Sequence, residues 1–87
     1  RPRLHHLRDQ GGRHEIDLIA DFGHAGVVAI EIKATATPKP AMARHLAWLR
    51  DRLGDRFLRG VVLHTGVAAI ELGDRMVALP IAAIGRR

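Results

Sequence analysis

The sequence contains no cysteine, few aromatic residues and no long apolar run. Without cysteine, the chain can form no disulfide bond, thiolate metal site or cysteine nucleophile. Aromatic side chains make up only 3%, so the stacking groups that single-strand nucleic-acid binders use are scarce. No apolar run approaches the roughly 20 residues that span a bilayer, and no signal peptide is visible. We therefore expect a cytoplasmic protein that does not enter a membrane.

The composition is that of a small globular domain with a basic balance. Apolar residues make up 47% of the 87 residues, enough for one core, and we predict a single domain over residues 1–87. Fourteen Lys and Arg outnumber nine Asp and Glu, which gives a net charge of +5. This charge favours an anionic partner such as DNA, although frequent use of Arg explains it equally well. Because the chain opens on Arg1 rather than Met, we expect it to be a piece of a longer protein.

The apolar pattern predicts a mixed α/β domain that begins with an antiparallel meander of three strands. Short segments rich in Gly separate the strands and suit tight turns. The predicted strands are residues 3–8, 14–21 and 27–34, and the predicted turns are residues 9–12 and 22–26.

A crossover helix and further strands are predicted to follow the meander. Thr37 suits the N-cap, Pro38 the first helical position, and Gly54 the C-terminal cap. One apolar stripe runs between these caps: Met42, Leu46, Leu49 and Leu53. Beyond the helix we predict a strand parallel to the third one, a weaker hairpin turning at Gly73-Asp74, and one helical turn. The corresponding ranges are residues 57–64, 67–72 with 75–79, and 80–84.

Acidic side chains occupy two of the predicted strands that are otherwise apolar. Glu15 and Asp17 lie two residues apart on the second strand, and Glu31 and Lys33 lie two apart on the third. Side chains two apart on a strand point the same way, so pairing of these strands would bring Asp17 and Glu31 together, with Lys33 nearby. Charges retained in an apolar setting are usually paired or bound to metal.

Two close carboxylates with a neighbouring lysine suit metal-dependent cleavage of a phosphodiester. Hard oxygen ligands favour Mg²⁺ or Mn²⁺, and such a cation activates water and polarises phosphate. Lys33 would orient the attacking water or steady charge on phosphorus. The alternative is that Glu31 and Lys33 form a solvent-exposed ion pair that contributes little to stability. His45 shows no paired spacing for zinc and is interpreted as a surface or packing residue.

These motifs resemble the core of PD-(D/E)XK nucleases. Residues 12–19, followed by Ile30-Glu31-Ile32-Lys33, carry the likeness. The sequence is most similar to the C-terminal nuclease-like domain of bacterial and archaeal P-loop ATPases known as domain of unknown function 4143. Segments resembling that family continue through residues 53–57, 60–63 and 73–81, so the likeness covers nearly the whole chain.

The resemblance implies a restriction-endonuclease-like core: a β-meander, a crossover helix and a further strand. It implies that Asp17 and Glu31 bind the metal, that Lys33 is the catalytic lysine, and that Glu15 is an accessory acid at the metal. The first helix of that core is missing before Arg3. The Gly-x-x-x-x-Gly-Lys-Ser/Thr motif is absent too, so we expect a C-terminal fragment whose ATPase module lies upstream.

Three functions stay open on the sequence alone: a metal-dependent DNA endonuclease, a non-catalytic DNA-binding or regulatory module of the ATPase, and a structural or oligomerising domain. A homodimer would suit the third, because loss of the first helix would uncover one sheet face. Basic residues near the predicted helix are candidate phosphate contacts or a solvated helix face: Lys39, Arg44, Arg50 and Arg52. Trp48 is interpreted as a packing residue rather than a base-stacking one.

Overall fold

The computed structural model describes residues 1–84 as a mixed α/β fold built on one six-stranded sheet. The strand order is β1-β2-β3-β4-β6-β5. The elements are β1 (Arg3–Arg8), β2 (Glu15–Asp21), β3 (Val27–Ile32), α1 (Arg44–Leu53), β4 (Phe57–His64), β5 (Ile70–Gly73), β6 (Met76–Pro80) and α2 (Ile81–Ile84). None of the helices in this part of the chain has the length and apolar character to cross a bilayer.

The predicted antiparallel meander is confirmed. β1 pairs with β2, and β2 with β3, both antiparallel. β3 ends at Ile32, two residues earlier than the predicted boundary. The chain turns there because the Thr35 N–H bonds to the Lys33 carbonyl. This turn keeps Lys33 at the carboxyl end of the strand.

The crossover helix is also confirmed, but its predicted start at Thr37 and Pro38 is wrong. A 3₁₀ turn at Pro40–Ala43 precedes α1, and Lys39 is extended with φ −122° and ψ 152°. A residue that precedes proline is pushed towards extended backbone, so Lys39 before Pro40 delays the helix. Gly54 ends α1 as predicted, with φ 59°, and its N–H bonds to the Arg50 carbonyl.

One face of the sheet packs on α1 and forms the core. Leu46 and Leu49 of the predicted apolar stripe are buried there, together with Phe57 of β4. Along β3 the alternation is clear: Ala29 and Glu31 point into this core, whereas Ile32 is 55% exposed on the opposite side. β4 runs parallel to β3, as a crossover through α1 requires. The core therefore lies under the only long helix of residues 1–84.

The hairpin and the final helical turn lie close to where the sequence predicts them. β5 begins at Ile70, later than predicted, and a loop connects it to the end of β4 at His64. His64 is fully buried and fixes that loop: one ring nitrogen lies 2.8 Å from the Ala68 carbonyl, and Nδ1 accepts from the Gly66 N–H at 3.0 Å. Both ring nitrogens are therefore satisfied, which makes His64 a packing residue.

Candidate functional site

A β-bulge in β2 shapes the site. His5 of β1 lies opposite Ile19, but Leu7 lies opposite Ile16, so two steps on β1 correspond to three on β2. The extra residue lets Ile16 and Ile19 both face the core, at 0% and 3% exposure. Bulges of this kind redirect neighbouring side chains. Here the bulge spans Asp17, whose side chain turns towards the end of β3.

Asp17 and β3 are joined by two hydrogen bonds. The Asp17 N–H donates to Oε1 of Glu31 at 3.2 Å. In return, Oδ2 of Asp17 accepts from the Ile32 N–H at 2.7 Å. The regular ladder between the strands ends at the pair Leu18 and Ile30, so these bonds extend the pairing by one more step. The two acids are thereby held side by side.

Glu31 is the buried acid of the pair, with only 3% of its surface exposed. Burial raises the pKa of Glu31, the nearby Lys33 charge opposes that rise, and the Asp17 charge adds to it. Nζ of Lys33 lies 3.9 Å from Oε2 of Glu31, and the Lys33 side chain is 39% exposed. Because Glu31 is buried, Glu31 and Lys33 do not form the solvent-exposed ion pair that was the alternative on the sequence alone.

Glu15, the proposed accessory acid, already has basic partners. Its Oε2 lies 3.2 Å from a ring nitrogen of His6 and 3.9 Å from the guanidinium of Arg8. The Glu15 side chain stays 45% exposed. It therefore lies at the rim of the site, between the acids and the basic side chains of β1.

The acids and the lysine share one cleft with a residue that sequence reasoning missed. The cleft has a volume of about 190 Å³, and its lining side chains are Glu15, Asp17, Glu31, Lys33 and His45. His45 comes from the first turn of α1. Nothing in its sequence spacing points to the acids, since α1 and β2 meet only through the tertiary fold.

His45 is the one lining side chain of the cleft that α1 contributes. Burial lowers the pKa of His45, and the positive charge of Arg44 lowers it further. Its Nδ1 is buried and has no hydrogen-bond partner within residues 1–84. A buried nitrogen of this kind costs free energy unless something pairs with it. Because Nδ1 is inaccessible to solvent, any polar contact from this ring into the cleft is made by Nε2.

The donor set fits a hard cation bound by two carboxylates. Across residues 1–84 no three His, Cys, Asp or Glu side chains are grouped so as to hold a metal ion. Mg²⁺ is commonly bound through one or two carboxylates and keeps several waters. Asp17 and Glu31 supply that number of carboxylates in an open cleft, whereas a tetrahedral zinc site would need more protein ligands.

The four basic residues predicted near the helix fall into two groups. Arg50 and Arg52 are engaged: Arg50 bonds to the Asp51 carboxylate and the Asp74 carbonyl, and Arg52 lies 5.4 Å over the Trp48 ring. Lys39 and Arg44 are exposed. Arg44 opens α1, next to His45 of the cleft.

Trp48 packs against protein rather than presenting a free ring. The His14 ring stacks on it with centroids 3.9 Å apart and planes at 9°. His14 is itself fixed by Asp9, which accepts from the His14 backbone N–H at 3.0 Å and contacts its Nδ1 at 2.8 Å. Trp48 also borders the hydrophobic core. These contacts support the interpretation of Trp48 as a packing residue.

The family model with the description Domain of unknown function (DUF4143) matches residues 1–84. The match spans every strand of the sheet and all five side chains of the cleft. No curated protein and no solved structure matches the chain.

Proposed function

The chain belongs to the family of the domain of unknown function DUF4143, and from that premise we propose a PD-(D/E)XK-type nuclease domain that hydrolyses DNA with Mg²⁺ or Mn²⁺. The observation that carries the proposal is the shared cleft of Asp17, Glu31 and Lys33. These residues come from two strands and meet beside a bulge. Burying one carboxylate beside another costs free energy unless a cation binds between them.

Charge in the cleft supports a role for a divalent cation. Three carboxylates line it against one lysine, and burial lowers the pKa of the fifth lining side chain, His45. A phosphodiester carries a negative charge and would be repelled by this surplus of acid. A divalent cation between Asp17 and Glu31 would cancel the surplus. The same cleft could then accept a phosphate.

Four of the five lining residues of the cleft have distinct parts in the proposed hydrolysis. Asp17 and Glu31 would hold the cation through their carboxylate oxygens. When bound, Mg²⁺ or Mn²⁺ supplies a polarised phosphate and a water of lowered pKa. Lys33, partly exposed at the mouth of the cleft, would donate to a phosphate oxygen and steady its growing charge. Glu15 would remain at the rim, in contact with β1.

The test is calorimetric titration of Mn²⁺ into the chain, followed by a plasmid-nicking assay on the same samples. Glu31→Ala and Lys33→Gln are the informative variants. Glu71→Gln is the matched acid control, because Glu71 is an exposed residue of β5 outside the cleft. Lys39→Gln is the matched lysine control, exposed and outside the cleft.

The expected pattern separates binding from chemistry. Glu31→Ala should lose Mn²⁺ binding and nicking, whereas Lys33→Gln should keep most Mn²⁺ affinity and lose about 100-fold in nicking rate. Both controls should behave like the parent chain. Mn²⁺ affinity that is unchanged in Glu31→Ala would refute the metal site.

A non-catalytic DNA-binding or regulatory module of a P-loop ATPase is the second candidate. This candidate is favoured because both acids already have protein partners without a cation. Asp17 accepts a hydrogen bond from the Ile32 N–H, and Glu31 lies beside Lys33. In that case the chain should bind duplex DNA in a salt-sensitive way and never nick it in Mn²⁺. An oligomerising role would instead give self-association without DNA binding.

A further inference from the structure

The positive charge of this chain is unevenly distributed. Residues 1–14 contain four Arg and one Asp, a net charge of +3. Residues 15–84 contain eight basic and eight acidic residues, so they carry no net charge. In that neutral part, several arginines pair directly with acids: Arg50 with Asp51, Arg56 with Asp21, and Arg75 with Asp74. The excess charge of residues 1–84 therefore lies on Arg1 and β1, since Asp9 and Arg13 in the turn that follows cancel each other.

β1 presents this charge on an accessible strand. It is the end strand of the sheet, so one of its two edges has no neighbouring strand within residues 1–84. Its basic side chains are exposed: Arg3, His5, His6 and Arg8. An end strand that carries positive charge resists pairing with other strands, which keeps such an edge open to a charged ligand.

β1 adjoins the acidic cleft. His6 and Arg8 both reach Oε2 of Glu15, a lining residue of the cleft. His6 also lies 3.3 Å from the Asp17 carbonyl through its Nδ1. Five strand steps separate Arg3 from Arg8, about 17 Å at the usual rise. By strand alternation His6 and Arg8 lie on the face that reaches Glu15, and Arg3 and His5 lie on the other face. Together they form a basic row that flanks the free edge of β1 from the far end of the sheet to the rim of the cleft.

From this arrangement we infer that β1 is the strand that binds the DNA phosphate backbone and guides one phosphate into the cleft. Phosphates of one DNA strand recur about every 3.4 Å along the duplex axis, so a row of this length can face several of them. The inference rests on the proposed function, which it deepens by locating the substrate surface. The sequence alone made basic residues near α1 the candidate phosphate contacts, whereas this inference assigns the phosphate contacts to β1.

The ligand that fits is duplex DNA rather than a single strand. Single-strand binders rely on free aromatic faces for base stacking. Trp48 is stacked against His14 and contacted by Arg52. Phe22, 43% exposed, is then a lone aromatic face, whereas a stacking platform needs several. A row of Arg and His side chains along one strand instead suits phosphate contacts, which position a duplex without reading its bases.

The test compares two double variants that remove the same charge. Arg3→Gln/Arg8→Gln lowers the charge of β1, and Lys39→Gln/Arg44→Gln lowers that of the segment before and at the start of α1. Neither Lys39 nor Arg44 forms an ion pair within residues 1–84. Binding to a short DNA duplex is followed by fluorescence anisotropy in EDTA over a range of salt. Circular dichroism melts establish that both variants fold.

We expect the β1 variant to lose about tenfold or more in affinity at low salt. Its log–log salt slope should fall by about two, close to one for each phosphate that the variant no longer neutralises. The Lys39/Arg44 variant should lose less than about threefold. Equal losses in both variants, or a larger loss in the second, would overturn the inference.

Because EDTA removes divalent cations, the duplex-binding measurement does not depend on the metal site. If the parent chain binds Mn²⁺ and nicks DNA but the β1 variant binds duplex normally, the proposed function stands and this inference fails. If the parent chain binds no duplex at low salt, the inference fails whatever the calorimetry shows. Absence of Mn²⁺ binding and nicking in the parent, with β1-dependent duplex binding retained, would uphold the inference for a non-cleaving module.

Discussion

The Asp17 N–H donates a hydrogen bond of 3.2 Å to the carboxylate of Glu31. A main-chain N–H group therefore helps to hold the two acids side by side. The return bond from the Ile32 N–H to Oδ2 of Asp17 closes the arrangement. A site built on backbone donors keeps its shape when a carboxylate is replaced by an amide, so charge and shape can be separated by mutation.

Asp17→Asn and Asp17→Ala should differ in stability but agree in metal binding. An amide oxygen at position 17 can still accept from the Ile32 N–H, whereas alanine leaves that donor without a partner. The hydrogen bond is exposed, so its loss should cost no more than about 0.5–1.5 kcal/mol. Both variants should lose about tenfold or more in Mn²⁺ affinity by calorimetry, because each removes one of the two carboxylates proposed to hold the cation directly, and even outer-shell changes commonly cost about tenfold. Equal melting temperatures for the two variants would show that the accepted bond contributes nothing.

Glu31→Gln should stabilise the metal-free fold at neutral pH. Burial raises the pKa of Glu31 above its ordinary value near 4.5, so the folded state holds this proton more tightly than the unfolded state. Between the ordinary and the raised pKa, stability therefore falls as pH rises. The neutral amide lacks that loss and can still accept from the Asp17 N–H. Stabilising single changes are commonly worth about 0.5–2 kcal/mol.

Thermal melts at several pH values test this prediction. The advantage of Glu31→Gln over the parent should be full at pH values above the raised pKa and should shrink as the pH falls towards 4.5. Added Mn²⁺ should reverse the order, because only the parent binds it and gains stability from it. Glu71→Gln serves as the control and should follow the parent throughout. A Glu31→Gln variant that melts below the parent at neutral pH would contradict the assigned effect of burial.

Much of the fold could be predicted because its signals are local. Apolar alternation and branched residues set β2 to β4, and Gly54 sets the end of α1. The start of α1 could not be placed from Thr37 and Pro38, because the second proline, Pro40, forces Lys39 into extended backbone. Cap preferences of single residues did not reveal that constraint.

The candidate site was predicted less completely, for a physical reason. Alternation along a strand groups Glu31 with Lys33, and strand pairing brings Asp17 to Glu31. The bulge in β2 is invisible to such counting, because a single extra residue changes which side chains share a face. His45 was missed because helix and strand spacing do not say which residues meet across elements. A clue lay only in its position at the start of the helix that covers the acidic strands.

Gly66→Ala should destabilise the loop after β4. A methyl group at Gly66 would clash with the Ala36 carbonyl oxygen, a backbone atom that cannot move aside easily. Overpacking of this kind commonly costs about 1–3 kcal/mol. The change also threatens the bond from the Gly66 N–H to buried His64. Urea denaturation should show the loss, and Ala68→Gly, in the same loop, gives a reference for added chain flexibility. An unchanged unfolding midpoint for Gly66→Ala would contradict the close approach.

His45→Phe should separate packing from function in the cleft. Phenylalanine keeps a planar ring but removes Nδ1, which is buried without a hydrogen-bond partner within residues 1–84. Stability should therefore stay equal or rise, since a buried unsatisfied nitrogen is lost. Mn²⁺ affinity should change by less than about threefold, because Asp17 and Glu31 are retained. Nicking should nevertheless fall by about 10–100-fold, the usual effect of losing a residue that orients a metal site from outside.

His14→Phe gives the matched control, because His14 lies edge-on to His45 at 5.8 Å but does not line the cleft. It should nick DNA at close to the parent rate, because the stacking of its ring on Trp48 and its Nδ1 contact with Asp9 both lie outside the cleft. Full activity in His45→Phe would show that the ring merely fills space beside the acids. A stable variant that binds Mn²⁺, binds duplex and fails to nick would instead make His45 a positioning residue, acting through Nε2 on a water or phosphate oxygen in the cleft.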